Sequence, residues 1–473
     1  MMEMNPIERV FLRVEQQDHP VDSMGIFLLD PTDDGPLPFE AAQAAIAARA
    51  AREPVLRRMI AQTTYGMGEE RWMDSGNVTL AHHLVQVTVP QPADLRCLLD
   101  LALRLGRAPL DRRRPLWKAW YADGLADGRT ALLVRAHHAL TPGLGGIALA
   151  RELFDPTPLP ADPGAPIPMV IADPAPTTAQ LLRRGIPQVV SVQWNAARQA
   201  AQLARAGLRR GGAEAADEAP RSTHRTPVTV FDTAVRSPAK SLGVVSLPLA
   251  DFDEIRSRRN EFSFGDLLQA VLCGGLRRYF ERIGEVPDGQ VKVAIPMMLD
   301  SNGTGMARPS AAHSTLSITV LPTDEADPQT RLAIIHARNR RRLARYDEAR
   351  RGTRMATVIS GLFHPAVVSV ATTVLGSSMA TLVTRPPFNL AFTAQRAPDA
   401  PVYFAGAKVA NMYGRTLVIP PMRVFVHAVV YDGKVEVGVT ALREVLPDPD
   451  LLLDAIRDEL AELLAGVTGA QGR

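Results

Sequence analysis

The residues best suited to chemistry are two adjacent histidines, His137 and His138. Neutral imidazole, with a reference pKa of about 6.5, can accept a proton near neutral pH and so act as a general base. The pair follows the apolar run 131–136 and precedes the glycine-rich stretch 143–146, which predicts a strand ending at the histidines and a tight turn beyond them. Side chains at such a strand end are free to face a cleft. The alternative is a structural pair, with one histidine packed and one solvated.

Several predicted elements must position this strand. Residues 39–52 are rich in alanine and residues 94–106 carry leucines at helical spacing, so both stretches predict helices. Asp127-Gly128 predicts the turn that opens the strand, and a short helix is expected at Ile147–Leu153. The second half of the chain predicts the following elements: strands at Val244–Leu249 and Val291–Leu299, a helix at Phe264–Arg282, a hairpin across Asp432-Gly433 and a terminal helix at Asp448–Leu464.

The length of the chain predicts two domains, because 473 residues exceed what one hydrophobic core usually serves. Proline, alanine and polar residues dominate the stretch between the two sets of elements. We therefore expect an N-terminal lobe over residues 1–158, a crossover over 159–226 and a C-terminal lobe over 227–473.

The composition excludes several classes of protein. Hydrophobic residues make up 46% and charged residues 22% of the chain, as in ordinary globular proteins. The net charge of +3 is too small to indicate a nucleic-acid partner. Cys97 and Cys273 lie far apart, so we expect neither a disulfide framework nor a metal site. The polar N-terminus does not have the pattern of a secretion signal, and together these features predict a cytoplasmic protein.

Two basic segments and one apolar run raise the question of a membrane. Residues 183–210 have the pattern of a basic amphipathic helix, and residues 338–354 contain eight arginines. Each is either a solvated helix face or a peripheral contact with a membrane or lipid droplet. Residues 355–384 carry no formal charge, but His364-Pro365 and several hydroxyl residues interrupt them. We expect two buried or interfacial helices there, with a true transmembrane span as the alternative.

A resemblance to a known family rests on blocks spread along most of the chain. The stretch 137–143, His-His-Ala-Leu-Thr-Pro-Gly, is similar to a His-His-x-x-x-Asp-Gly motif, and 109–117 is similar to a Pro-Leu-Asp-Arg-x-Arg-Pro-Leu-Trp block. Further similar segments lie at residues 5–11, 277–279, 295–297, 388–390 and 403–407. With these blocks the chain resembles the bacterial wax ester synthase/diacylglycerol acyltransferase family.

The resemblance implies a fold and a reaction. The fold would be α/β, with two chloramphenicol-acetyltransferase-like lobes and a tunnel between them. The reaction would transfer a long acyl group from acyl-coenzyme A to a hydroxyl lipid, either diacylglycerol or a fatty alcohol, without a bound cofactor. The implied site residues are as follows: His138 as the base beside His137, Gly143 against substrate, and Asp111, Arg112 and Arg114 holding the loop by ion pairing.

The chain also departs from the family pattern. Pro142 stands at the acidic position of the motif and supplies neither a carboxylate nor a backbone donor. Residues 393–398 and Gly265-Asp266 differ from the family at two further positions. Two other functions therefore stay open: a non-catalytic lipid-binding or partner protein, and a condensation-type enzyme that takes its acyl group from a carrier protein. A second pair, His82-His83, lies in a strand-like stretch without a following glycine turn, so we expect it to be structural.

Overall fold

The computed structural model describes residues 2–4, 6–61, 70–140, 152–158, 226–298, 314–350, 387–398, 400–418 and 422–469. Pro142, Gly143 and the start of the helix expected at Ile147 lie outside the described residues. So do the basic segment 183–210, the apolar run 355–384 and almost all of the expected crossover.

The strands of this part of the chain form two large sheets and one small one. They are β1 (Met2–Glu3), β2 (Asp22–Leu29), β3 (Arg58–Ala61), β4 (Arg71–Asp74), β5 (Leu84–Thr88), β6 (Trp117–Asp123), β7 (Thr130–His137), β8 (Lys240–Pro248), β9 (Lys292–Met298), β10 (Ser314–Val320), β11 (Leu390–Arg396), β12 (Tyr403–Phe404), β13 (Ala407–Arg415), β14 (Val424–Tyr431) and β15 (Lys434–Leu442).

The described residues also form nine α-helices. They are α1 (Pro6–Val14), α2 (Phe39–Arg52), α3 (Pro54–Arg57), α4 (Leu80–His83), α5 (Leu95–Leu105), α6 (Leu249–Arg258), α7 (Phe264–Ile283), α8 (Pro328–Arg350) and α9 (Asp450–Gly469). The predicted helix over residues 39–52 is confirmed, and the one over 94–106 is confirmed as α5, where the Asp94 carboxylate caps the N-terminus by accepting the Cys97 N–H. The terminal helix is confirmed as α9, which runs five residues past the predicted end.

The first large sheet has the order β12-β13-β2-β7-β6-β5. Its central strands, β2 and β7, are antiparallel and buried along their whole lengths. Apolar side chains on one face pack with α2, and those on the other face pack with α5 and with the second sheet through Leu242 and Val244. The sheet is therefore covered on both faces, which explains why residues 131–136 are apolar apart from Arg135.

The second large sheet has the order β10-β9-β11-β14-β15-β8 and mixes parallel with antiparallel pairs. The predicted hairpin is confirmed between β14 and β15. Asp432 and Gly433 both have positive φ, at 44° and 72°, as a tight two-residue turn requires. Helices α7 and α9 pack together on this sheet, and Gly274 and Gly275 let α9 approach because a Cβ at either would overlap α9.

Two strands from the second half of the chain join the first sheet. β13 pairs antiparallel with β2, and β12 pairs with β13. Residues 403–415, which come after the expected crossover, therefore complete the sheet formed by the first part of the chain. Strand propensity says that a segment is extended but not which sheet edge it covers. Here the two strands cover the edge of β2, which would otherwise be open to pairing with another chain.

Candidate active site

The predicted strand end is confirmed, since β7 ends at His137 and His138 follows it directly. His137 pairs with Asp22 of β2, and the His138 N–H donates to the Val21 carbonyl at 2.9 Å. Backbone pairing with β2 therefore fixes where both histidine side chains leave the chain. Arg135 and His137 lie on one face of the sheet, and Ala136 lies on the other.

His138 is partly enclosed by the protein. The residue is half-buried, and its Nδ1 is buried without a hydrogen-bond partner among the described residues. Its ring packs edge-on against Phe11, with ring centroids 4.7 Å apart. Burial is the main cause that lowers its pKa to about 4, His137 lowers it further, and Asp22 opposes the shift. The ring is therefore neutral at pH 7, in the form that can accept a proton.

His137 is held in one orientation by its neighbours. It is 1% exposed, and the Ala139 N–H donates to its Nδ1 at 3.0 Å. The ring proton must then be on Nε2, which lies 3.4 Å from Oε1 of Glu15. A histidine with Nδ1 accepting and Nε2 facing a carboxylate is not available to a substrate. The two histidines therefore differ in environment: both sides of the His137 ring face protein groups, whereas Nδ1 of His138 has no partner in the described residues.

Glu15 connects His137 to the rest of the lobe. Its Oε1 also accepts the Val21 N–H at 3.1 Å, and its Oε2 accepts Nη2 of Arg112 at 3.0 Å. Burial raises the pKa of Glu15, but the contacts with His137, Arg112 and Val21 outweigh it and the net shift is downward. Sequence reasoning missed this residue, because a single glutamate after a short helix carries no recognisable signal.

The three residues expected to hold the loop divide into two groups. Arg112 reaches the site, because it donates to Glu15 and to the Leu12 carbonyl at 2.5 Å. Asp111 instead pairs with Arg113 at 3.0 Å and with Arg114 at 3.4 Å, within its own exposed loop. Arg112 is thus the member of the block that orders the histidines.

A buried ion cluster lies next to His137. Asp22 is fully buried and pairs with Arg135 of β7 and Arg415 of β13. Burial raises the pKa of the carboxyl group, but Arg415 and Arg135 outweigh this and hold it well below its usual range. A carboxylate thus lies beside the histidines on β2, although Pro142 supplies none. Asp22 was not predicted as a site residue. The feature that could have indicated it is its position as a single acidic residue at the start of a strongly apolar run.

The second histidine pair has a structural environment. His82 and His83 end α4, and the strand begins at Leu84, so the expectation of a strand at the pair was wrong. Nδ1 of His83 lies 2.8 Å from the Trp117 carbonyl, and its ring packs on the Trp117 ring. A one-turn helix of four residues has too little periodicity to be recognised in sequence. His82 is exposed, so the pair offers no enclosed base.

Asp266 also has a structural position. It forms a capping box with Ser263 at the start of α7. It also accepts Nδ2 of Asn339 at 2.7 Å and lies 3.0 Å from Nδ1 of His336, both on α8. The residue thus joins two helices of the second lobe.

Comparison with known proteins identifies the family. Residues 4–260 match the model of the wax ester synthase/diacylglycerol acyltransferase catalytic domain, and residues 314–464 match the model of the C-terminal domain of that family. A Mycobacterium tuberculosis protein provisionally named a diacylglycerol O-acyltransferase is 27% identical over 467 residues, or 97% of this chain and 99% of the relative. A second such protein from that organism is 29% identical over 444 residues, or 88% of this chain and 83% of the relative.

Solved structures give the same fold. The wax ester synthase/diacylglycerol acyltransferase from Marinobacter aquaeolei VT8 aligns with a TM-score of 0.68 at 21% identity, over 99% of this chain and all of that one. The polyketide synthase associated protein 5 from Mycobacterium tuberculosis aligns at 0.51 and 17% identity, over 98% of each chain. The family match and the fold define a two-lobed acyltransferase of the chloramphenicol-acetyltransferase-like class. The chain belongs to the wax ester synthase/diacylglycerol acyltransferase family.

Over the described ranges, no helix has both the length and the apolar character needed to cross a bilayer. In those ranges there is also no group of three or more His, Cys, Asp or Glu side chains placed to hold a metal ion.

Proposed function

We propose that this protein transfers a long-chain acyl group from acyl-coenzyme A to the hydroxyl group of diacylglycerol or a fatty alcohol. Membership of a family of lipid acyltransferases supports the class of reaction. The observation that carries the proposal for this chain is His138, a neutral imidazole at a strand end with an unbonded ring nitrogen. An alcohol that attacks a thioester needs a base at that moment.

The proposed step balances without a cofactor. The acceptor oxygen attacks the thioester carbonyl while His138 takes the hydroxyl proton, and a tetrahedral intermediate forms. The intermediate collapses, the carbon–sulfur bond breaks, and His138 returns the proton to the departing coenzyme A sulfur. A positioned base of this kind contributes about 10²–10⁴-fold to the rate.

The low pKa of His138 has a cost as well as a benefit. It keeps the base unprotonated, but burial also destabilises the imidazolium that forms as the acceptor is deprotonated. Asp22 acts in the opposite direction, because its negative charge favours the protonated ring. We infer that substrate binding has to supply further stabilisation of this charge, since a base with a pKa well below the working pH is intrinsically weak.

His137, Glu15 and Arg112 have a positioning role in this proposal. Their contacts fix the backbone of residues 137–139, from which the His138 ring projects. Correct placement of a base matters because displacement by about 1 Å can cost roughly 100-fold in rate.

A non-catalytic lipid-binding protein is the second candidate, and Pro142 favours it. Proline at this position supplies neither the carboxylate of the family motif nor a backbone N–H donor. A protein of this kind would bind acyl-coenzyme A or lipid without turnover.

The deciding experiment measures coenzyme A release from palmitoyl-coenzyme A, with hexadecanol or dioleoylglycerol as acceptor and chromatography of the lipid product. Wild type is compared with His138→Ala and with His82→Ala, the same substitution at an exposed histidine. We expect acceptor-dependent release that His138→Ala lowers by about 10²–10⁴-fold and that His82→Ala leaves unchanged. If no protein releases coenzyme A but all bind labelled palmitoyl-coenzyme A, the non-catalytic candidate replaces this one. Turnover with a palmitoylated carrier protein alone would identify a condensation-type enzyme.

A further inference from the structure

The buried cluster around Asp22 contains more positive than negative charge. Arg135 and Arg415 both pair with this carboxylate. Lys240, the first residue of β8, also lies within electrostatic range of Asp22 and of both arginines. In the described residues Asp22 is the only carboxylate that pairs with any of the three cations. When Lys240 is protonated, the cluster therefore has three cations and one anion.

Several donors of this cluster are unused. Nε and Nη1 of Arg415 and Nζ of Lys240 are buried and have no hydrogen-bond partner in the described ranges. Arg415 is 1% exposed, so solvent does not take the place of a partner. A buried charged donor left unpaired costs a few kcal/mol, which selection usually removes. Donors left unpaired at such a cost point to a partner outside the described residues.

Three segments near the cluster in sequence or length of chain contain no acidic residue. Residues 141–151, which follow His138, and residues 416–421, which follow Arg415, contain no aspartate or glutamate. The long stretch 351–386 contains none either. These three segments therefore bring no second carboxylate to the cluster, and Glu15, which precedes Asp22 in sequence, contacts Arg112 and His137 instead.

The position of the cluster relates it to the candidate active site. Alternation along β2, β7 and β13 places Asp22, Arg135, His137 and Arg415 on the face that packs against β8. Lys240 enters from β8, whose Leu242 and Val244 pack on the same face. The cluster thus lies between the two sheets, at the end of β7 where His137 is located.

We propose that Lys240, Arg415 and Arg135 form a buried binding site for one oxyanion, a carboxylate or a phosphate group. Guanidinium groups suit such ligands because they offer several fixed donors. The environment of Lys240 agrees with a site that is incomplete when empty. Burial, with Arg415 and then Arg135, lowers its pKa to about 7 against the opposing effect of Asp22.

The oxyanion has two conceivable sources, a free ion or an acidic group on the acyl acceptor. The binding site does not depend on the proposed acyl transfer. The assignment to an acidic acceptor rests on that function, so it is tested in a separate arm. If the protein shows no turnover with any acceptor, the binding of phosphate and acetate still tests the site.

The first arm measures binding of inorganic phosphate and of acetate by calorimetry and by thermal unfolding, against sodium chloride at equal ionic strength. Lys240→Met is compared with Lys434→Met, the same change at the opposite end of the β8–β15 pair. We expect saturable binding by wild type and Lys434→Met, and at least tenfold weaker binding by Lys240→Met. Equal, non-saturating stabilisation of all three proteins would be a general salt effect and would overturn the proposal.

The second arm uses Asp22→Asn, for which two explanations predict opposite results. Loss of the carboxylate leaves the cations unopposed, so an oxyanion site must bind phosphate more tightly, by tenfold or more. If the cluster only stabilises the fold, the variant is destabilised and phosphate restores nothing. A variant that folds only when phosphate is present counts in favour of the site.

The third arm identifies the source by comparing 16-hydroxyhexadecanoate with its methyl ester as acceptors. A KM increase confined to the free acid in Lys240→Met would place an acidic acceptor in the site. Phosphate binding that depends on Lys240, without any preference between the two acceptors, would assign the site to a free oxyanion. Absence of both effects would reject the site.

Discussion

Each lobe contains a buried carboxylate between two arginines, but the two clusters differ in charge balance. In the second lobe, Glu459 of α9 pairs with Arg331 of α8 at 2.5 Å and with Arg278 of α7 at 3.1 Å. Arg278 also pairs with Glu462, and Nη1 of Arg331 donates to two carbonyls at 2.8 Å. There two arginines have two carboxylates, and Nε of Arg331 is the one buried donor without a partner in the described residues. In the Asp22 cluster two arginines and Lys240 share one carboxylate, and three donors are unpaired in those residues.

The difference in charge balance distinguishes a cluster that stabilises the fold, around Glu459, from one that is suited to ligand binding, around Asp22. The Glu459 cluster joins three helices around one core, and each of its two arginines pairs with a carboxylate of the protein. The Asp22 cluster joins β13, β2 and β7 beside the candidate base and retains unpaired donors. A buried polar group that the fold leaves unpaired is a candidate for ligand contact, because its desolvation is otherwise uncompensated.

The largest expected effect is a loss of stability when the Glu459 cluster is broken. Glu459→Ala leaves Arg331, which is 2% exposed, without its carboxylate, so the free energy of unfolding should fall by about 3–5 kcal/mol. Chemical denaturation measures this change. Glu462→Ala is the matched control, because it removes an exposed carboxylate from Arg278, and it should cost under about 1 kcal/mol. Similar losses in the two variants would contradict the contrast between the clusters.

The pH dependence of turnover tests the environment of His138. At pH 5 an unperturbed histidine is roughly 3% neutral, whereas a group with a pKa of about 4 is roughly 90% neutral. Because the base must be unprotonated, kcat/KM should stay within about twofold of its neutral-pH value at pH 5 and fall as pH approaches about 4. An acid limb centred near 6.5 would mean that the ring is solvated in the working enzyme. Circular dichroism at each pH separates this loss from unfolding.

Local patterns predicted much of the fold. The strand ending at His137, the hairpin at Asp432-Gly433 and helices α2 and α5 were each predicted from residues close together in sequence. The supporting residues of the site could not be found in this way. Asp22 meets Arg415 across a separation of 393 residues, and this contact exists only because β13 joins the first sheet. Nothing in either segment indicates which sheet edge β13 will cover.

The smallest expected effect tests whether Glu15 positions the catalytic loop. Glu15→Gln keeps an oxygen that can accept the Val21 N–H but removes the charge facing His137 and Arg112. Weaker orientation of His137 should lower kcat by about tenfold with little change in KM, because the base is displaced and substrate contacts are not. Asp111→Asn is the control, since that carboxylate pairs only within its own loop among the described residues, and it should change neither constant. A rise in KM at constant kcat would instead place Glu15 in substrate binding. Unchanged kinetic constants with a lower melting temperature would mean that Glu15 contributes only to the stability of the fold.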